Sequence, residues 1–350
     1  MPITAWIARP RLVAALLAAG VLPLVNAPAR SHVVPIADMV RGIRITQAQC
    51  AELPSTVWIA ALGQSFCFRY YLSTAGGEGS RPAVFLSGDK LGTFNMRTGA
   101  FAVRPDEKDV DTDDLEKIAR GLSRQTKTTA IYLGRVGLDG SSGDHRIRRS
   151  VLELKATQAA LDAIKQRHRF EGFHLIGQSG GSALVGGLLA LRTDIVCAAI
   201  GAGRLVHPKP VRPSADPARE QFNVADAIPV IVRQSTARIM LVTDPADKYV
   251  PEQAQTPFVQ MMRQAGKPVE QFIVRATDEN NHFVSGYSRA VAADCIRGAP
   301  TQEIEQNVRT LVEKRLALTK AKAEKATAPP SAPVQQPIPA PVNGQPNWTR

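Results

Sequence analysis

Ser179 stands in Gly177-Gln178-Ser179-Gly180-Gly181, with the apolar run Phe173-His174-Leu175-Ile176 leading in and the small, mostly apolar residues 182–190 leading out. A serine at so sharp a strand-to-helix turn is held with its hydroxyl outward, and the helix N-terminus behind it favours developing negative charge. Glycine at 177 and 181 removes side chains that would collide across the turn. A hydroxyl is a poor nucleophile until a base takes its proton and a carboxylate orients that base. Two acids follow the apolar run 238–243, in Asp244-Pro245-Ala246-Asp247-Lys248-Tyr249-Val250-Pro251. Asp244, at the strand end before a proline, suits a turn cap, whereas Asp247 lies far enough along to face a site and is the candidate acid. His282 is the only histidine downstream of both the serine and the acid. It occupies a polar loop after the run 272–274, where a base is free to reach across a sheet edge.

These residues need elements to position them. Short β-rich runs occur at 56–62, 66–72, 83–86, 129–133, 173–176, 195–200, 239–242 and 272–274. Helical periodicity fills 114–124, 151–166, 182–191, 252–264, 288–296 and 301–325. The short link Gly63-Gln64-Ser65 predicts an antiparallel first pair, and the later alternation predicts a mostly parallel, doubly wound sheet. Ser150 and Glu153 have capping-box spacing at the start of the second of these helices. The stretch 204–236 holds five prolines (Pro208, Pro210, Pro213, Pro217, Pro229), room for one helix and a small flap but not for a large cap.

With the nucleophile turn, Asp247-Lys248-Tyr249-Val250-Pro251 and Asn281-His282-Phe283 in this order, the chain resembles the α/β-hydrolase superfamily over roughly residues 55–299. The resemblance implies an α/β fold with a mostly parallel central sheet of about eight strands flanked by helices, and a small flap rather than a large cap. It implies a serine hydrolase of carboxylesterase or peptidase type, with Ser179, Asp247 and His282 acting on a small-molecule or peptide substrate and with no cofactor or metal. It also implies an oxyanion hole made by the amide of Gly180 and one from Ser87-Gly88-Asp89-Lys90, with Asp89 the candidate. This chain has Ser87-Gly88 where the family commonly has His-Gly. The stretch 134–146 resembles the loop that borders the pocket in many such hydrolases. The family's layout, combined with chain order, pairs Cys50 with Cys67 and Cys197 with Cys295. The alternative function is a non-catalytic envelope-binding protein on the same scaffold, which would have no use for all three residues.

The chain has 350 residues, 43 Lys+Arg against 31 Asp+Glu and 44% hydrophobic residues, which excludes a wholly disordered, collagenous or polytopic membrane protein. Residues 1–29 read as a cleaved secretory signal, with Arg9 and Arg11, an apolar run at 12–25 too short to span a bilayer, and then Ala27-Pro28-Ala29. Residues 30–54 form an N-terminal segment, 55–325 the hydrolase domain and 326–350 a proline-rich disordered tail, with seven prolines from 328 on. Export to the periplasm or medium suits four cysteines without a C-x-x-C pair, which point to disulfides. Asp139, Asp144 and His145 lack the spacing of a calcium loop. The formal charge of +12 comes without a nucleic-acid-binding motif and fits an anionic envelope surface instead.

Overall fold

The computed structural model describes residues 33–94, 101–103, 108–207 and 215–327. The expected signal segment, the proline-rich tail from 328 on, and Pro208, Pro210 and Pro213 lie outside the described residues. The chain enters through β1 (Val33–Val34), α1 (Ile36–Arg41) and α2 (Gln47–Glu52), then forms a hairpin of β2 (Thr56–Ala61) and β3 (Gln64–Ser73). Next come β4 (Ala83–Leu86), β5 (Leu91–Phe94), β6 (Phe101–Val103), β7 (Val110–Asp111), α3 (Thr112–Thr126), β8 (Ala130–Leu133) and α4 (Val151–His168). Strand and helix alternate thereafter: β9 (Phe173–Gln178), α5 (Gly180–Leu188), β10 (Ile195–Gly201), α6 (Ile228–Gln234), β11 (Arg238–Thr243), α7 (Thr256–Gln264) and β12 (Glu270–Ile273). The long helices α8 (Ser285–Ile296) and α9 (Thr301–Thr327) follow.

Eight strands make one sheet in the order β12-β11-β10-β9-β4-β8-β3-β2. The six from β12 to β8 run parallel, and β3 and β2 continue the sheet antiparallel. Side chains alternate faces along each strand, as the pleat requires. Val84, Leu86, Ile131, Leu133, Leu175, Ala198 and Ile200 go to one core with α4, α5 and α7. Phe85, Tyr132, Ile176, Ala199 and Val242 go to the other with α3, α8 and α9. Both faces are covered, so these strands read as continuous apolar runs. The carboxyl ends of β4, β9, β10, β11 and β12 therefore share one edge of the sheet, and every chemically suggestive residue lies just past one of them.

Both implied disulfides are present. Cys50–Cys67 ties α2 to β3 with Cα atoms 5.7 Å apart, and Cys197–Cys295 ties β10 to α8 at 6.3 Å. Among the described residues no helix is long and apolar enough to cross a membrane. Between β10 and β11 they form two short 3-10 turns (Pro217–Arg219 and Val224–Ala227) and α6.

Element boundaries depart from the periodicity where polar residues do structural work. α5 starts at Gly180 rather than 182 because the two glycines form its first turn. A Cβ on residue 181 would strike the Leu86 and Ser87 carbonyl oxygens of β4 and the loop after it. β12 spans Glu270–Ile273 rather than 272–274, since Glu270 is drawn into the edge strand by Arg238, whose Nε lies 2.6 Å from Oε1. The ribbons β1–β7 and β5–β6 are too short to leave an alternation signal.

Candidate active site

Ser179 follows β9 directly and has φ 52° and ψ −116°, a conformation that side-chain-bearing residues rarely adopt. Its main-chain N–H donates to the Gly201 carbonyl at 2.8 Å and its carbonyl accepts from Ser182 and Ala183, so both sides of the turn are clamped. Ser182 adds a second clamp, its hydroxyl exchanging hydrogen bonds of 2.7 and 2.8 Å with Gly201. A Cβ on residue 177 would fall on the Ser182 backbone. The turn is thus sharp because glycine permits it, and strained at the one position that carries the hydroxyl.

The loops after β11 and β12 bring Asp247 and His282 together. His282 Nδ1 lies 3.0 and 2.9 Å from the two carboxylate oxygens of Asp247. A carboxylate only accepts, so Nδ1 carries the proton and Nε2 is left as the acceptor. Asp247 Oδ1 also accepts from Tyr249 N–H at 2.8 Å and Val250 N–H at 2.9 Å, which fixes the carboxylate. Asp244 holds the turn instead, accepting from Ala246 N–H at 2.9 Å and Ala276 N–H at 2.7 Å. One residue missed from sequence is Asp278, whose carboxylate accepts from the N–H groups of Asn280, His282 and Phe283 at 2.8–3.2 Å. Its signal was an aspartate placed to cap its own turn in Asp278-Glu279-Asn280-Asn281-His282. Gln178 Nε2 donates to the His282 carbonyl at 2.9 Å, tying this loop to the residue before the serine.

The opposite side of the turn is built from charges. The Asp89 carboxylate lies where a side chain on residue 180 would be, so only glycine fits there. Arg135, fully buried, donates from Nη1 to Asp89 at 2.8 Å and reaches both Glu153 oxygens at 3.0 Å. Arg149 and Arg148 approach Asp89 Oδ2 at 3.1 and 3.6 Å. Burial would raise the Asp89 carboxyl, but Arg135, then Arg149, His145 and Arg148, outweigh it and hold it well below the ordinary carboxylate range. His145, buried beside them, is pushed down to about 3 by burial and then by Arg135. The capping box expected at Ser150 and Glu153 is half formed. Ser150 Oγ accepts from Glu153 N–H at 3.2 Å, but the Glu153 carboxylate turns to Arg135 and the Arg149 N–H. The Ser150 N–H, which the full box would give to Glu153, donates instead to the Ile147 carbonyl at 3.0 Å, and the carboxylate is held by the buried guanidinium. Asp89 and Gly180 adjoin one another, and neither main-chain N–H is taken by another described residue.

The fold is that of the α/β-hydrolases. No protein-family model matches the chain, and no curated protein does. Among solved structures, an acylaminoacyl peptidase in complex with Z-Gly-Gly-Phe-chloromethyl ketone is similar over 72% of this chain and 39% of its own, at 15% identity and TM-score 0.44. The chain thus spans about two fifths of that peptidase. A Pyrococcus furiosus esterase is similar over 73% of this chain and 94% of its own, at 11% identity and TM-score 0.47. Est1E from Butyrivibrio proteoclasticus, with ferulic acid bound, is similar over 67% of this chain and 96% of its own, at 14% identity and TM-score 0.44.

In this chain Ser179 and His282 line one cavity of about 320 Å³ with Phe85, Leu115, Ile118 and Phe283. Lys90 also lines it, held 3.0 Å from the fully buried Asp139, which accepts as well from Ser87 Oγ at 3.1 Å and Tyr132 OH at 2.7 Å. The exposed rings of Tyr249, outside the cavity lining, and Phe283, within it, meet His282 edge-on at 5.2 and 5.9 Å. Among the described residues no group of three His, Cys, Asp or Glu is placed to hold a metal ion.

Proposed function

We propose that this chain is an exported serine hydrolase that cleaves a carboxylic ester or amide through an acyl-enzyme on Ser179. The observation that carries the reading is Ser179 held in a strained turn on the wall of the same cavity as a histidine whose far nitrogen is engaged by a carboxylate. His282 Nε2 takes the hydroxyl proton as Ser179 Oγ bonds to the substrate carbonyl carbon. Asp247 holds the tautomer and stabilises the imidazolium. The amides of Gly180 and Asp89 receive the oxyanion, aided by the amino end of α5. His282 then returns the proton to the departing alcohol or amine, and water repeats the sequence to free the acid.

The apolar cavity wall suits an uncharged acyl or aryl group, and the two disulfides fit an oxidising compartment after export. A fluorophosphonate probe tests the reading. Labelling of the folded protein that disappears in Ser179→Ala supports it. No labelling, with Ser179→Ala indistinguishable from the parent, would leave the non-catalytic envelope-binding alternative.

A further inference from the structure

Resting on the hydrolase reading, we infer that Arg149 and Arg204 form an anion-binding subsite on the flank of Ser179 away from the apolar cavity. The substrate then carries a carboxylate or phosphate on the side of its scissile bond opposite the group that enters that cavity.

The arginines approach the reacting residues from two directions. Arg149 Nε lies 3.1 Å from Asp89 Oδ2, and that carboxylate abuts Gly180, the residue after the nucleophile. Arg204 follows β10 and donates from Nη2 to the Tyr249 carbonyl at 3.5 Å, while the Tyr249 ring sits 5.2 Å from that of His282. Asp89 is shared among Arg135, Arg148 and Arg149, and Glu153 is taken up by Arg135. Among the described residues Arg204 has no carboxylate within ion-pair distance. Arg135, Arg148, Arg149 and Arg204 thus face Asp89, Glu153 and, near Arg204, Asp247, so positive charge exceeds negative on this flank.

Two further observations point to a ligand. Burial, and after it the charge of Arg149, draw the Arg204 guanidinium below its ordinary range against the opposing charge of Asp247, and both arginines join burial in drawing His207 down. Like charges held close in a half-desolvated place are a standing cost that an arriving anion removes. Arg149 also occupies φ 59°, a conformation that glycine or asparagine would take with less strain, so the turn itself does not call for an arginine. Its side chain remains 25% exposed, open to a ligand. Guanidinium groups are suited to planar carboxylate and to phosphate because they donate in pairs.

The test uses two matched pairs of esters, one for each orientation: 3-(butanoyloxy)benzoate against 3-(butanoyloxy)benzamide, and phenyl hydrogen glutarate against phenyl glutaramate. In one pair kcat/KM is expected to favour the anion by about tenfold or more at low salt. The ratio, from which any general loss cancels, should fall at least about fivefold in Arg204→Gln and Arg149→Gln and be partly kept in Arg204→Lys. Equal or better turnover of the neutral ester in both pairs, or a ratio unmoved by the glutamine variants, overturns the subsite. Arg204→Gln decides alone should Arg149→Gln misfold. Calorimetry with Ser179→Ala and 3-(butanoyloxy)benzoate separates this inference from the reading beneath it. Arg204-dependent binding without probe labelling or turnover keeps the subsite and removes the hydrolase. Turnover without anion preference does the reverse.

Discussion

The two sides of Ser179 are held by different physics. On the side of the proposed acid and base, Asp244, Asp247 and Asp278 each accept main-chain N–H groups within a few residues of themselves or from the neighbouring loop. On the side of the proposed oxyanion hole, Asp89, Arg135, Glu153 and Arg149 hold one another through side-chain ion pairs reaching 18 to 60 residues along the chain. The first arrangement supplies donors that the turns would otherwise leave unsatisfied, so each aspartate stabilises local geometry independently. The second brings charges out of water, and each member is stable only while the others remain. One side therefore degrades step by step under mutation, whereas the other fails as a unit.

The largest expected effect lies on the acid–base side and concerns turnover alone. Ser179→Ala and His282→Ala should each lower turnover of an activated ester on the order of 10³-fold or more, with circular dichroism unchanged. Asp247→Asn should come close to them, and Asp244→Asn should weaken folding while sparing kcat. The reverse ranking of the two aspartates would move the acid to Asp244.

On the oxyanion side stability is what falls. Arg135→Met leaves Glu153 buried without its partner and is expected to cost about 3–5 kcal/mol in denaturant unfolding. Adding Glu153→Met should return part of that loss. Additive losses would show that the charges act separately and that the contrast between the two sides is false. Gly180→Ala sharpens the same point, because the new methyl group displaces the Asp89 carboxylate from Arg135. A misplacement of this size beside the proposed oxyanion donors is expected to lower kcat by roughly 10²-fold, with KM little changed. A variant of native kcat would take Asp89 out of the oxyanion hole.

The smallest effect is the pH dependence. His145 is pushed down to about 3 by burial and Arg135, and His174 to about 4 by burial and Arg81. Both stay neutral in the fold while the unfolded chain binds protons below about 6.5, so stability is whole above that pH and declines toward the folded values. Each histidine contributes a slope of about 1.4 kcal/mol per pH unit inside its window. Melting temperatures between pH 7 and pH 4.5 should fall less in His145→Gln and His174→Gln than in the parent, and parallel curves would reject the assignment.

The contrast also explains what could be read from sequence. The strand and helix order, Gly177-Gln178-Ser179-Gly180-Gly181 and the loops bearing Asp247 and His282 were legible because local pattern and turn chemistry specify them. The two cysteine pairings needed the family's layout in addition. Asp278 was within reach, since it caps a turn in its own pentapeptide. Arg135 and Glu153 were not, nor was the ionic role of the Asp89 carboxylate, because nothing in a linear chain says that charges from two loops and the first turn of α4 will close over one glycine. Glu153 was even misleading, its spacing from Ser150 matching a capping box that a buried guanidinium then claimed.

Ser179 has a consequence outside chemistry. Its backbone at φ 52° and ψ −116° is easy for glycine and costs about 1–3 kcal/mol for any residue with a Cβ. Ser179→Gly should therefore unfold at a higher temperature than Ser179→Ala, and at or above the parent. Drift that kept only foldability would then carry position 179 toward glycine. A serine at this place is a residue that stability alone would not choose.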